Sequence, residues 1–462
     1  MENNKTNVKN YISIAFGALA GQGVLMMLVT MYLQFAYTEY IGLSAAAVGL
    51  VLGIGAVIDG LSDLGCGVVM DNYRTKWGKA RHWFLYMALP LALSGSFLVA
   101  CPASWSTTAK IVFLFVVYNI YCTALTFVRL PASTLVALGG RSEKYKRTGG
   151  LINAFFASFA VLLASWIITP MLNVFGGQSQ HSYLMVFAIV SIISGAMTLA
   201  MFFLSREVVT EDTISIEQKK KQQGEQVEKA SIKKQLYYLF TNKYWLIQLA
   251  GQIGANFATG LSMGCMAYFC AFVLNNPGAV ALLMSVSQIP MLIGIFFGGA
   301  INAKIDPRYT CLIGWGIDLA GCLIMWGFAL GGNGLTILMV GMAISKFGLG
   351  IQAPSTMVFS ARISTYGVWK NGYHMEGMAF TGKDVMIKIM SALSSTVLGF
   401  ILTAVGYSQG NCPPLAVKAI TFMFVYLPAI GAAATLIAFC FFNLTAKKTA
   451  EMEEEIKQRT RI

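Results

Sequence analysis

The sequence predicts an all-α membrane protein with about twelve transmembrane helices, and three observations carry that expectation. Of 462 residues, 56% are hydrophobic and only 11% are charged, where a soluble globular chain carries about 25% charge. Long stretches such as Trp83–Ala100, Tyr183–Leu204 and Thr421–Phe442 contain no charged residue, and a helix needs about 20 such residues to cross a hydrocarbon core of about 30 Å. Finally, most of the 33 Lys and Arg fall in the N-terminus, in alternate loops and in the C-terminal tail. Only Lys110 and Lys418 fall in the opposite set of loops, which is the positive-inside pattern of a multi-pass protein of the plasma membrane. Runs that are apolar throughout exclude a membrane barrel, whose strands would alternate in period two. The +13 formal charge is topological and does not indicate nucleic-acid binding.

Helices are expected over about 11–38, 44–70, 83–101, 109–138, 148–174, 181–205, 240–273, 278–302, 309–330, 335–360, 374–405 and 416–443. The first follows Lys5 and Lys9, is too long for a signal-peptide core and lacks a small-residue cleavage site, so it reads as a retained helix. The long polar stretch Arg206–Gln235 divides the chain into an N-terminal six-helix bundle (1–205), a cytoplasmic linker (206–235), a C-terminal six-helix bundle (236–443) and a cytoplasmic tail (444–462). An even number of crossings puts both termini on the Lys/Arg-rich side. This plan resembles the major facilitator superfamily, whose halves are pseudo-repeats with a substrate site at the midplane. The loop Asp71–Arg81 and its counterpart Asn302–Arg308 both place an acid and bases after the equivalent helix. Abundant glycine (46 residues) fits close helix packing in lipid.

An ionisable side chain costs at least about 2.5 kcal/mol at a helix centre in lipid, so each one asks for a reason. Asp59 and Asp63, four apart, share one helical face and repel each other unless a bound Na⁺ or a shared proton neutralises them. Ser62 can add a hydroxyl to the same turn; a structural pairing with a Lys of another helix is the alternative. Lys388 lies mid-helix as a counter-ion for the pair, with Lys383 and Asp384 about a turn earlier, where Lys383 either joins them or snorkels to water. Thr126 and Arg129 share a face of the fourth helix, and an always-charged guanidinium there must meet a carboxylate, a cavity or a substrate anion. Asp318 and Lys346 are expected to pair structurally.

Enzyme motifs fail. The GxSxG match at Gly260–Gly264 lies inside an apolar helix without its strand-to-helix turn, and no Walker-type loop supports ATP-driven pumping. The nine cysteines have neither metal-type nor paired spacing. No cofactor is expected beyond a coupling ion, Na⁺ or H⁺.

Asp59-Gly60-Leu61-Ser62-Asp63, followed by Met70-Asp71-Asn72-Tyr73-Arg74-Thr75-Lys76-Trp77-Gly78-Lys79-Ala80-Arg81, resembles the glycoside–pentoside–hexuronide:cation symporter family. Met31-Tyr32-Leu33 with Tyr37-Thr38-Glu39, Gly367–Gly372 with Glu376-Gly377, and Lys388 extend the resemblance over nearly the whole chain. It implies a symporter of a small-molecule solute and a coupling cation, working in the lipid bilayer as a monomer. Asp59, Ser62, Asp63 and Thr126 would form the Na⁺, Li⁺ or H⁺ site, with Lys388 beside it. The sugar side departs from that family. Its helix-one acid is absent from Gly21-Gln22-Gly23, which leaves Gln22 as a polar lining candidate. Its helix-four acid becomes Arg129 before Leu130-Pro131, its aromatic becomes Ser133, its helix-five arginine becomes Ala154, and acids before Trp369 become Arg362, Thr365 and Val368. Replacing acids with Arg129 favours an anionic, sugar-derived solute, with Gln22, Arg129, Lys383, Asp384 and Lys388 as its binding residues. An amphipathic anion such as a lysolipid or a steroid or bile-type acid is the alternative.

Overall fold

The computed structural model describes residues 4–21, 23–73, 75, 77–140, 142–177, 179–207, 237, 240–330, 334–371 and 376–460. Every regular element among them is helical. The first apolar run starts as α1 (Asn4–Gly21) and continues past Gly23 through Val24–Leu28, with wide π turns at Val29–Leu33 and Tyr37–Ile41. There follow α2 (Ala45–Asn72), α3 (Arg81–Phe97), α4 (Thr107–Leu138), α5 (Glu143–Val174) and α6 (Gln180–Leu204). After the linker come α7 (Lys243–Tyr268), α8 (Ala279–Asn302), α9 (Pro307–Met325), α10 (Gly334–Asn371), α11 (Glu376–Ala404) and α12 (Pro414–Cys440, with a π turn at Phe422–Tyr426). A final helix, α13 (Ala446–Thr460), occupies the tail.

Local chemistry sets the starts. Ser44, Ser106, Ser142 and Ser179 stand in extended backbone, and each side-chain oxygen accepts from the N–H three residues on. Asp306 accepts likewise from the Arg308 N–H, two residues on, before a proline in the first turn of α9. These groups satisfy backbone donors that a helix leaves without internal partners.

Among the described residues, eleven helices are long and apolar enough to cross a membrane. The twelfth expected segment is α3, only 17 residues, or about 25 Å at about 1.5 Å per residue. Large apolar side chains such as Leu61, Phe203 and Phe296 remain exposed, as surfaces turned to hydrocarbon should be. Two expectations need correction. The tenth helix, expected over 335–360, runs on to Asn371, because Arg362, Ile363, Trp369 and Lys370 are held by hydrogen bonds to other segments and not by lipid. The tail contains a helix that its polar composition did not suggest. The expected linker lies almost wholly outside the described residues.

The chain divides into two compact units. The first holds residues 1–227 together with 266–284 and 395–417. Here the ends of helices contributed late in the sequence join the turn between α1 and α2. Thr38 and Tyr268 share a hydroxyl–hydroxyl hydrogen bond of 2.8 Å, Tyr407 donates to Glu39, and Gln409 Nε2 donates to the Glu39 carbonyl at 2.8 Å. Gly49 and Gly399 let α2 and α11 touch backbone to backbone: a Cβ at Gly399 would sit 2.2 Å from the Ala45 carbonyl oxygen. Lys110, one of the two bases outside the basic loops, is buried and donates to the Ile41 carbonyl at 2.7 Å.

The second unit holds 228–265, 285–394 and 418–462. α9 and α10 pack closely through Gly314, Gly321, Gly341 and Gly348. The aromatic cluster of Tyr244, Trp315, Phe359, Tyr366 and Phe442 fills one end. α13 is fastened there: Trp369 Nε1 donates to Glu455 at 2.6 Å, while Asp306 accepts from the Ala446 N–H at 2.7 Å and from Arg362 Nη1 at 2.9 Å. Arg362 also donates to the Leu444 carbonyl.

Candidate functional site

The acids of α2 and the polar residues of α4 meet within the first unit. Gly55, one turn before Asp59, makes room for the Tyr118 ring of α4; a Cβ there would fall 2.6 Å from it. That contact brings the next turns of the two helices together. Thr126 Oγ1, itself buried, lies 3.1 Å from Asp59 Oδ1 and 2.8 Å from Asp63 Oδ1. A hydroxyl has one proton and two lone pairs, so it can donate to one carboxylate while offering an oxygen to a cation between them. Ser62 turns its hydroxyl onto the Asp59 backbone carbonyl at 2.9 Å, which leaves its oxygen lone pairs available near the same turn.

Arg129, three residues beyond Thr126, bonds Asp63: Nη2 to Oδ2 is 3.2 Å, with the two side chains 30% and 27% exposed. Of the partners open to this guanidinium from sequence, a carboxylate, that of Asp63, is the one it meets. Pro131 withholds the N–H that would return to Phe127, and the Phe127 ring packs at 4.5 Å on Trp83 of α3. The site is therefore braced by α3 as well as α2.

Lys388 sits part-buried on α11 in the second unit. The side chains of Lys383 and Asp384, and the whole of Gln22, lie outside the described residues. Asp318 is buried and takes its hydrogen bonds from Ser345 at 2.5 Å and Cys322 at 3.7 Å, with no ion pair to Lys346 among the described residues. The GxSxG match is interior to α7, away from any strand-to-helix turn.

Sequence reasoning missed three polar anchors. Glu207, just after α6, accepts from the backbone N–H groups of Lys79, Ala80 and Arg81 at 3.0, 2.7 and 2.9 Å. This secures the start of α3 below Gly78, whose φ of +108° suits glycine. Asp306 does the equivalent work in the second unit. It belongs to the Asn302–Arg308 loop, but its partners 56 and 140 residues away have no local signal. Glu39 pairs with Tyr407, 368 residues on, and nothing local to either residue signals it.

Residues 13–446 match the family model described as MFS/sugar transport protein. The chain is 26% identical over 446 residues to the isoprimeverose transporter of Lactiplantibacillus pentosus, covering 94% of this chain and 89% of that one. It is 22% identical over 464 residues to the glucuronide carrier protein homolog of Escherichia coli (strain K12), covering 99% and 94%. The fold is similar to the crystal structure of a bacterial homolog of the human lysosomal transporter Spinster, with a TM-score of 0.68 at 11% identity, over 98% of this chain and 99% of that one. With the family model spanning nearly the whole chain and the helices able to cross a bilayer many times, this protein belongs to the MFS/sugar transport protein family and is a multi-pass membrane transporter, not an enzyme.

Proposed function

We propose that the protein is a secondary active symporter that couples Na⁺ or H⁺ to the movement of a small, anionic, sugar-derived solute by alternating access. The observation that supports this most directly is the constellation Asp59–Thr126–Asp63 with Arg129 on one carboxylate. Two carboxylate groups and a hydroxyl offer hard oxygen ligands or a shared proton. Arg129 supplies the charge complement for the solute. A guanidinium presents five donors and can hold a carboxylate bidentately, and a neutral sugar would leave it uncompensated. A glucuronide carrier protein homolog among the relatives agrees with an anionic solute, whereas an isoprimeverose transporter does not require one.

In this reading α3 is the twelfth crossing, both termini are cytoplasmic, and residues 1–205 and 236–443 are the two bundles that rock about the site. Gln22, Lys383, Asp384 and Lys388 are assigned to solute binding along with Arg129, and the protein works as a monomer. The hydrogen bonds around Thr38, Glu39, Tyr268 and Tyr407 are the closed outer gate. Proteoliposome uptake tests the proposal. D-Glucuronate should accumulate down an imposed Na⁺ or H⁺ gradient, and Arg129→Ala should weaken it more than Arg129→Lys. A neutral glycoside accumulated well by wild type, with Arg129→Ala unimpaired, would overturn the anionic assignment.

A further inference from the structure

We infer that Arg129 is a tethered competitor for the coupling cation, and that an anionic solute opens the cation site by drawing the guanidinium off Asp63. The inference rests on the symport reading above and adds the device that couples the two ligands. Three observations carry it. Arg129 and Asp63 form an ion pair inside the constellation that would hold the cation, so a positive charge already occupies part of the place where the cation must go. The pair is loose: a single Nη2–Oδ2 contact of 3.2 Å, where a charge-assisted N–H···O bond normally measures about 2.7–2.9 Å and a good Arg–carboxylate pair is bidentate. Among the described residues, Arg129 makes no other hydrogen bond through its guanidinium. Finally, both side chains are about a third exposed, so neither end of the pair is sealed into packed protein.

The consequence is an exchange of partners. A bidentate solute carboxylate replaces a long monodentate contact, and the guanidinium turns from Asp63 towards the solute. The guanidinium then no longer holds Asp63 Oδ2, and the repulsion between guanidinium and incoming cation is reduced, because Coulomb energy falls with separation. Solute binding tightens cation binding, and by linkage the cation tightens the solute by the same factor. A neutral solute cannot make this exchange, so coupling itself becomes selective for anions.

The test measures Na⁺ affinity of the purified full-length protein by isothermal titration, with Li⁺ as a second probe, in wild type, Arg129→Gln and Arg129→Lys, each with and without D-glucuronate. A monodisperse profile and a retained Tm establish that each variant is folded. Arg129→Gln should bind Na⁺ about tenfold more tightly than wild type in the absence of any solute, equivalent to about 1.4 kcal/mol. Glucuronate should tighten Na⁺ in wild type and leave Arg129→Gln unchanged. Arg129→Lys keeps the competing charge and should stay close to wild type without solute. Equal or weaker Na⁺ binding by Arg129→Gln, or no Na⁺ or Li⁺ binding by it at all, overturns the inference. Glucuronate tightening Na⁺ equally in wild type and Arg129→Gln also overturns it, while leaving anion symport intact. If only a neutral glycoside tightens Na⁺ in wild type, both readings fall.

Discussion

Substituting Asp306 with alanine tests how the second unit is fastened at its polar end. The carboxylate caps α9 through the Arg308 N–H at 2.9 Å, accepts from the Ala446 N–H at 2.7 Å, and bonds Arg362 Nη1 at 2.9 Å. The Asp306 and Arg362 side chains are only 15% and 9% exposed. Losing an N-cap costs about 1 kcal/mol. Removing one partner of a buried pair costs about 3–5 kcal/mol, because the other charge stays buried. Arg362 keeps the Leu444 carbonyl at 3.0 Å, so the lower end of that range applies. Asp306→Ala should therefore destabilise the protein by about 4 kcal/mol, a fall in Tm of about 4 °C for a chain of this length. Asp306→Asn retains a capping oxygen and should lose about half as much. A double-mutant cycle with Arg362→Met should return a coupling of about 2 kcal/mol or more. Denaturation curves for Asp306→Ala within about 0.5 kcal/mol of wild type, the range of an ordinary surface change, would refute the reasoning. The same carboxylate predicts a pH dependence. Burial pushes its pKa up, but the Arg362 hydrogen bond, the N–H groups of Arg308 and Ala446, and the Arg362 charge outweigh burial and hold it below the ordinary 3.8. The unfolded chain therefore takes up the proton first. The stabilisation is complete above a pH of about 4 and disappears as pH falls through the lower folded value. Asp306→Ala should accordingly show a flatter stability profile than wild type below pH of about 4.

Three further outcomes follow from the first unit. Asp59→Asn and Asp63→Asn should each abolish cation-driven accumulation in proteoliposomes while inserting and folding normally, and single mutants that concentrate solute like wild type would make the acids structural. Tyr407→Phe removes the donor to Glu39, a loss of about 1 kcal/mol. It should raise labelling of a cysteine placed at Ser44, in a cysteine-depleted background, about fivefold with a membrane-impermeant thiol reagent. Gly399→Ala puts a Cβ 2.2 Å from the Ala45 carbonyl, so α2 and α11 cannot close as observed; uptake should fall at least about tenfold with unchanged expression, and normal uptake would contradict a closing gate at this contact.

Helix positions were legible because lipid makes the decision local. An uncharged run of sufficient length has no alternative to a helix in hydrocarbon, and side chains such as Ser44 and Asp306 mark starts through neighbours two or three residues away. The shared face of Asp59 and Asp63 follows from helical spacing alone, as does that of Thr126 and Arg129. Which partner Arg129 takes does not. Sequence left a carboxylate, a cavity or a substrate anion open, and the choice fell to Asp63, 66 positions earlier, because α2 packs on α4 with Gly55 under Tyr118. The same limit explains why Glu207 under the start of α3, Tyr407 on Glu39, and Asp306 between Arg362 and the tail helix went unseen. Each joins groups from 56 to 368 residues apart. Hydropathy reports how each segment meets its solvent, whereas these contacts depend on which segments become neighbours, and only the packed tertiary structure decides that.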